Sequence, residues 1–168
     1  MRAALERAAL VLIAALLFAG CGYHVAGRGA ALPGGVTEMR VPVFSNETAK
    51  PDIEGPMTEA FVAEMVNTVR VNYRSEIVMT GVITGYDLKP VSFTGSDVNI
   101  EYRLTITISV DIKRGEDVLW KDENITDYED FPVNTSDVAA TEDAERAAMK
   151  KLARDTARLV KERMLTGL

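Results

Sequence analysis

The most constraining feature of this 168-residue chain is a regular alternation of apolar and polar side chains between residues 103 and 112. The aliphatic members are Leu104, Ile106, Ile108, Val110 and Ile112. A two-residue period of this kind predicts a central antiparallel strand with one face buried and the other in water. The segment Lys113–Asp117 follows as a predicted hairpin turn, in which Gly115 is suited to a positive φ.

Strands are also predicted on either side of this segment. The first covers residues 38–44, and Pro42 within it has no N–H to donate, which favours a sheet edge or a local break in pairing. The last covers residues 118–128, with Trp120 and Tyr128 expected on one face.

A strand predicted over residues 75–91 carries apolar side chains on both faces. Ile77, Met79 and Ile83 would share one face, and Val78, Val82, Tyr86 and Leu88 the other. Two explanations stay open: a second covered surface of the sheet, or a strand that is twisted or slipped at a bulge. Gly81 and Gly85 are the expected positions of a bulge or of a close approach.

Two helices are predicted from the spacing of apolar residues. The first opens at Gly55–Pro56 and runs to Arg70, and the second begins after an N-cap at Thr141 and stops near Gly167. Basic residues crowd the second helix: Lys150, Lys151, Arg154, Arg158, Lys161 and Arg163. They form either a patch for lipid phosphate or an ordinary solvated face that complements the helix dipole, and the interspersed acids favour the second interpretation.

The predicted order of elements is therefore β-α-β-β-β-α. Because each helix must cover one apolar face, this order predicts an α+β fold, a two-layer sandwich with two helices packed on one face of a four-stranded mixed sheet. The last three strands should form an antiparallel meander, and the first should lie parallel to a neighbour because a helix follows it. Residues 36–168 are the predicted extent of this single domain.

The amino terminus has the layout of a secretory signal: a short charged start, an apolar core from Ala8 to Ala19, and small residues before the only cysteine, Cys21. A cysteine after Ala19–Gly20 resembles the lipobox of bacterial lipoproteins. We expect residues 1–20 to be a removed signal peptide and residues 21–35 a lipidated tether. The alternative, a buried free cysteine at the end of an apolar helix, would leave that helix without a partner.

Composition argues against several classes of function. The formal net charge of −6 disfavours nucleic acid as a partner, because phosphate binding needs a concentrated basic face. His24 is the only histidine, which argues against a Ser-His-Asp triad in the core and against a multi-histidine metal site. The sequence contains no spacing typical of a catalytic site, so we expect neither an enzyme nor a bound metal or cofactor.

Several short motifs together resemble the LptE family of lipopolysaccharide-assembly lipoproteins. They are Cys21-Gly22-Tyr23-His24, Val41-Pro42-Val43-Phe44-Ser45-Asn46, Glu101-Tyr102-Arg103-Leu104, Val118-Leu119-Trp120 and the alanine-rich charged last helix. The resemblance implies an outer-membrane lipoprotein that faces the periplasm and sits as a plug in the lumen of a large β-barrel, the LptD-like translocon that inserts lipopolysaccharide. It also implies help with barrel assembly and contact with lipopolysaccharide.

The resemblance assigns roles to named residues. Cys21 would carry a diacylglycerol and an N-acyl chain, and Gly22 would permit sorting to the outer membrane. Family members bind lipopolysaccharide through basic residues near strand turns, but the turn over residues 93–99 has none. The candidate lipopolysaccharide contacts are Lys113 and Arg114 at the next turn, with Lys89 and Arg103 as weaker ones.

One alternative of a different class remains. A free, lipid-anchored, periplasm-facing lipoprotein that binds a ligand or acts as a scaffold would have the same signal and tether. That alternative predicts a largely polar exposed sheet face together with a pocket.

Overall fold

The computed structural model describes residues 32–93, 95 and 99–167, with the side chain of Asn99 excluded. A short 3-10 turn, Pro33–Gly35, precedes six strands and two helices. These are β1 (Glu38–Met39), β2 (Ser45–Asn46), α1 (Glu54–Met65), β3 (Arg70–Val71), β4 (Ile77–Phe93), β5 (Asn99–Arg114), β6 (Asp117–Pro132) and α2 (Val138–Thr166). Neither helix in these ranges is long and apolar enough to cross a membrane.

A mixed four-stranded sheet in the order β2-β4-β5-β6 forms one layer, and both helices pack against it. The strand β2 is parallel to β4, and the other neighbours are antiparallel. The predicted α+β fold class is therefore confirmed, with the first strand parallel to a neighbour and at the edge of the sheet.

The strand predicted over residues 38–44 is shorter in the structure, because only Glu38–Met39 forms β1 and the pairing stops before Pro42. Before the proline, β1 pairs in parallel with β3, and Arg40 bridges to Val78. After it, Ser45 and Asn46 form the parallel edge strand β2. The break predicted at Pro42 is thus observed, and it adds a small β1-β3 pair that was not predicted.

The core lies between the sheet and the helices. All five aliphatic residues of the alternating segment in β5 are at most 1% exposed, as predicted. They meet Met57, Phe61 and Met65 of α1 and a buried stripe of α2. Gly115 closes the β5-β6 hairpin with a φ of +58°, as predicted.

A bulge in β4 decides which face its distal half presents. Ile83 pairs with Ile108 and Gly85 with Thr107, so Thr84 is an extra residue. One extra residue inverts the side-chain alternation. Tyr86 and Leu88 consequently lie opposite Ile106 and Leu104 on the helix side, and their prediction on the other face was wrong. The bulge explains the apolar pattern at Tyr86 and Leu88, whereas Val78 and Val82 lie on the face away from the helices, opposite Lys113 and Ser109.

A second bulge lies in β6 at almost the same level. Ile125 pairs with Ile108 and Asp122 with Val110, which leaves one extra residue on β6. Asn124 sits there with a φ of +58°. Trp120 therefore faces the helices whereas Tyr128 faces away, and the prediction that they share a face was wrong.

One boundary of each helix differs from the prediction: the end of α1 and the start of α2. The first helix ends at Met65 rather than Arg70, because Arg70 belongs to β3 and its N–H donates to the carbonyl of Thr37 at 3.0 Å. The N-cap of α2 is Asp137 rather than Thr141: the Asp137 side chain accepts from the Ala140 N–H. The helix ends at Thr166, directly before Gly167, as predicted.

The packed region begins ahead of residue 36. Leu32 is 2% exposed and Val36 is 4% exposed, both in the core. The predicted signal peptide, Cys21, Gly22 and the tether up to residue 31 lie outside the described residues.

Candidate functional site

The sheet face that points away from the helices, here called the open face, is polar. Thr80, Asp111, Thr107, Thr126, Arg103 and Asp130 contribute to it. These groups largely satisfy one another: the Thr80 hydroxyl donates to Asp111, and Lys113 pairs with Asp111 at 2.8 Å. A polar open face is what the free-lipoprotein alternative predicted, and it is also a surface suited to a polar environment inside a barrel.

The four predicted lipopolysaccharide contacts do not form one site. Lys113 and Arg114 end β5 beside the Gly115 turn, whereas Lys89 and Arg103 face each other across β4 and β5 at the opposite end. Ten residues of strand separate Arg103 from Lys113, which corresponds to roughly 33 Å. The described part of the 93–99 turn, between the two strands, is limited to its ends and Gly95.

Availability for a ligand differs between the two pairs. Arg114 is exposed, and its Nη2 donates to the Gly34 carbonyl over a long distance of 3.5 Å. Lys113 pairs with Asp111, and Lys89 pairs with Asp87 at 2.9 Å on the surface. The Lys113–Arg114 end therefore has the more accessible guanidinium.

Arg103 is engaged in a structural cluster. Its Nε and Nη2 donate to the two oxygens of Asp130 at 2.7 and 2.8 Å, and its guanidinium lies 4.1 Å from the Tyr128 ring centroid. Hydrogen bonding to Asp130 raises the pKa of Arg103, and the same bonds lower the pKa of Asp130. A bidentate, stacked guanidinium has few free donors, so Arg103 is the weakest of the four candidates.

A cleft of about 450 Å³ opens between the loop before α1, the middle of β4 and the first third of α2. This volume is within the range of ligand pockets, roughly 300–1,000 Å³. Apolar residues form much of its wall: Pro51, Ile53, Pro56, Tyr86 and Met149. Lys50, Glu142, Arg146 and Lys150 also line it.

Glu145, Lys50 and Tyr86 form a hydrogen-bonded polar cluster in this cleft, here called the Glu145 centre. Glu145 Oε1 accepts from Lys50 Nζ and from the Tyr86 hydroxyl, both at 2.5 Å. Burial alone would raise the pKa of Glu145, but the bonds from Lys50 and Tyr86 outweigh it and lower the pKa. Burial and the bond to Glu145 raise the pKa of Tyr86. The three groups tie the loop and β4 to α2.

We expect Tyr86→Phe to lower the free energy of unfolding by about 1.5 kcal/mol, because a hydrogen bond to a carboxylate is lost. Since Glu145 has a lowered pKa in the folded state, its contribution is present above its ordinary pKa and is lost as the pH falls through the folded-state value. Urea unfolding between pH 7 and pH 3 measures both effects.

The exposed Tyr73, 74% accessible, supplies the control for that substitution. Tyr73→Phe should leave stability unchanged at every pH. Equal stability of Tyr86→Phe and the parent protein at pH 7 would contradict a stabilising role of the Glu145 centre.

Sequence reasoning did not find the Glu145 centre. Lys50 and Glu145 are 95 residues apart, and Tyr86 was placed on the wrong face before the Thr84 bulge was known. In the described ranges, no group of three or more His, Cys, Asp or Glu side chains is arranged to hold a metal ion.

The chain matches the protein-family model described as "LptE: Lipopolysaccharide-assembly" over residues 36–164. That range covers nearly all of the described domain. No curated protein sequence matches this chain.

Solved structures share the fold. The crystal structure of a lipoprotein from Caulobacter crescentus is 8% identical with a TM-score of 0.52, covering 74% of this chain and 89% of its own. Lipoprotein B from Nitrosomonas europaea, solved by NMR, is 14% identical with a TM-score of 0.51, covering 83% and 87%. At these identities the likeness concerns the fold alone.

Proposed function

We propose that this chain, which belongs to the LptE lipopolysaccharide-assembly family, acts as an outer-membrane lipoprotein that plugs the β-barrel translocon for lipopolysaccharide and helps it assemble. The observation that carries the proposal is the family match over residues 36–164, which includes both helices' cores and the whole sheet. The plug role and the barrel partner go beyond that match.

The open face supports a plug. The interior of a large outer-membrane barrel is polar, so a domain inside it meets polar walls rather than hydrocarbon. Hydroxyl groups and self-paired charges on the open face suit such walls, for example Thr107 against Thr126 and Arg103 against Asp130.

Anchoring would use Cys21. In this proposal Cys21 carries the diacylglycerol and the N-acyl chain, and Gly22 permits transfer to the outer membrane. The role is non-catalytic, in keeping with an assembly family and with a cleft centre whose carboxylate is already bonded by Lys50 and Tyr86.

A second candidate is a free lipid-anchored lipoprotein facing the periplasm. The polar open face and the 450 Å³ cleft favour it, since both were expected for that class. The two candidates differ in one property: only the plug forms a stable complex with a large barrel.

Affinity purification from detergent-solubilised outer membranes tests the plug. We expect the tagged full-length protein to recover one large β-barrel in a stoichiometric complex, identified by mass spectrometry and by its heat-modifiable mobility. Recovery of the protein without any barrel would contradict the plug and favour the free lipoprotein.

Contact with lipopolysaccharide is a further part of the proposal, assigned to Lys113 and Arg114. Replacing both with glutamate should weaken lipopolysaccharide binding about tenfold, because two charge-assisted contacts with phosphate or carboxylate are reversed. Barrel association should not change. Lipopolysaccharide binding to the purified protein, measured by light scattering or fluorescence titration, checks the first expectation.

A matched control changes the same net charge elsewhere. Arg154 and Arg158 are exposed on α2, away from the β5-β6 turn, and their double replacement with glutamate should leave lipopolysaccharide binding within twofold, because screening weakens exposed charges beyond a Debye length. Equal losses in both variants would remove Lys113 and Arg114 from the site.

A further inference from the structure

Four basic residues form a continuous row along the solvent side of α2. Arg146, Lys150, Arg154 and Arg158 follow one another at intervals of four residues, and all four are exposed. Residues four apart are neighbours on a helix surface, so the row, here called the α2 basic stripe, is about 18 Å long. It lies on an otherwise acidic chain of net charge −6.

Internal ion pairing does not account for this stripe. Other basic residues of α2 are used inside the fold: Lys151 pairs with Glu129, Lys161 with Glu64, and Arg163 with Asp122. Within the described part of the chain, Lys150 and Arg154 form no ion pair. The two central cations of the stripe are thus unpaired, and its end members pair only with acids of α2 itself, Arg146 with Asp143 and Arg158 with Asp155.

Helix stability does not account for it either. Like charges four residues apart repel and destabilise a helix. The helix dipole favours cations only in the last turn, where Arg163 lies, whereas the stripe occupies the middle of Val138–Thr166. Dipole complementarity, favoured from the sequence alone, therefore applies to Arg163 and not to the stripe.

The stripe continues into the cleft. Arg146 and Lys150 line one wall of the cleft, and Lys50 lines it from the loop on the other side. Ile53 and Met149 supply apolar surface between them. An occupant that is anionic, with an apolar side chain beside its charges, would therefore be complementary to this surface.

The surrounding acids distinguish a protein partner from a lipid surface. Glu142, Asp143 and Asp155 flank the stripe, and Arg146 and Arg158 are partly neutralised by Asp143 and Asp155. A densely anionic membrane would be repelled by these carboxylates and by the net negative charge of the chain. Separated carboxylates on a protein segment can contact the stripe without meeting its acidic flanks.

We propose that the α2 basic stripe and the adjoining cleft are a docking surface for an acidic segment of the barrel partner. The proposal rests on the proposed plug function and adds to it the surface used and the chemistry recognised. Carboxylates spaced along about 18 Å would pair with the stripe, and an apolar side chain would enter the cleft against Met149.

The test measures the association of full-length protein with the purified barrel as a function of salt. We expect Lys150→Glu with Arg154→Glu to weaken association about tenfold at low salt. The difference between this variant and the parent should shrink as the salt concentration rises, since these charges are exposed. Arg70→Glu with Arg74→Glu, two exposed cations off the stripe, is the matched control and should stay within twofold of the parent.

A second measurement distinguishes a role of the stripe in docking from a role in folding stability. Lys150→Gln with Arg154→Gln removes the repulsion, so the variant should be at least as stable to urea as the parent while its association with the barrel weakens. If both stripe variants bind the barrel as tightly as the parent protein does, the proposed docking surface is wrong, whereas the proposed plug function is not contradicted. Failure of the parent itself to bind would contradict the plug. Loss of binding to anionic vesicles, with barrel binding unchanged, would assign the stripe to lipid and overturn the proposal.

Discussion

Gly81→Ala is expected to lower the free energy of unfolding by about 3 kcal/mol, near the upper end for overpacking a core. A Cβ on Gly81 would overlap the ring of Phe44, which is 3% exposed. That ring cannot move aside freely, because it packs on the Phe61 ring with centroids 4.8 Å apart. Urea unfolding followed by circular dichroism measures the loss.

Gly95 provides the matched control, because a Cβ there has no neighbour within 4 Å outside the adjoining residues. Gly95→Ala lies in the turn between β4 and β5 and should leave stability within about 0.5 kcal/mol of the parent. Phe44→Leu should recover part of the loss in Gly81→Ala by making room for the methyl group. Strict additivity of Gly81→Ala and Phe44→Leu would show that overlap with this ring is not the cause.

The close approach at Gly81 was predictable from the sequence only as one of two outcomes. A glycine inside a strand pattern signals either a bulge or a close approach, and the pattern does not say which. At Gly81 the structure has the close approach with Phe44, whereas the bulge lies at Thr84 beside Gly85. The partner, Phe44, comes from a segment whose path depends on the break at Pro42.

The buried face of β5 was predicted correctly because its alternation is uninterrupted, although the strand extends beyond residues 103–112 at both ends. Its neighbours β4 and β6 each contain one extra residue, at Thr84 and near Asn124, and the alternation after that residue is inverted. A sequence pattern counts residues, whereas a bulge changes how many residues face one partner residue. The faces of Tyr86 and Tyr128 were therefore wrong, while the existence of both strands was right.

The contacts that define the candidate sites could not be predicted from the sequence either. The basic residues of α2 were identified from the sequence, but their division into paired and unpaired groups depends on which of them reach β6 and α1. Lys151 reaches Glu129 of β6 and Lys161 reaches Glu64 of α1, contacts that join residues 22 and 97 positions apart. No local pattern contains such information, so neither the α2 basic stripe nor the Glu145 centre could be predicted.

Deleting Asn124 is expected to cost about 3–6 kcal/mol, a large part of the 5–15 kcal/mol that typically stabilises a domain. Without the extra residue, the end of β6 would turn its other face to the helices. Ile125 and Phe131, 1% and 3% exposed, would leave the core, and each contributes about 1.5–3 kcal/mol when buried. Asp127 and Glu129 would also lose their α2 partners, Thr156 and Lys151.

Asn124→Gly keeps the residue count and isolates the effect of register. Because glycine adopts a positive φ readily, this variant should match the parent or exceed its stability by up to about 1 kcal/mol. Trp120, the only tryptophan, reports on the same strand by fluorescence during urea unfolding. A deletion variant within about 1 kcal/mol of the parent would mean that another position absorbs the shift. In that case the bulge at Asn124 would not decide which face of β6 meets the helices.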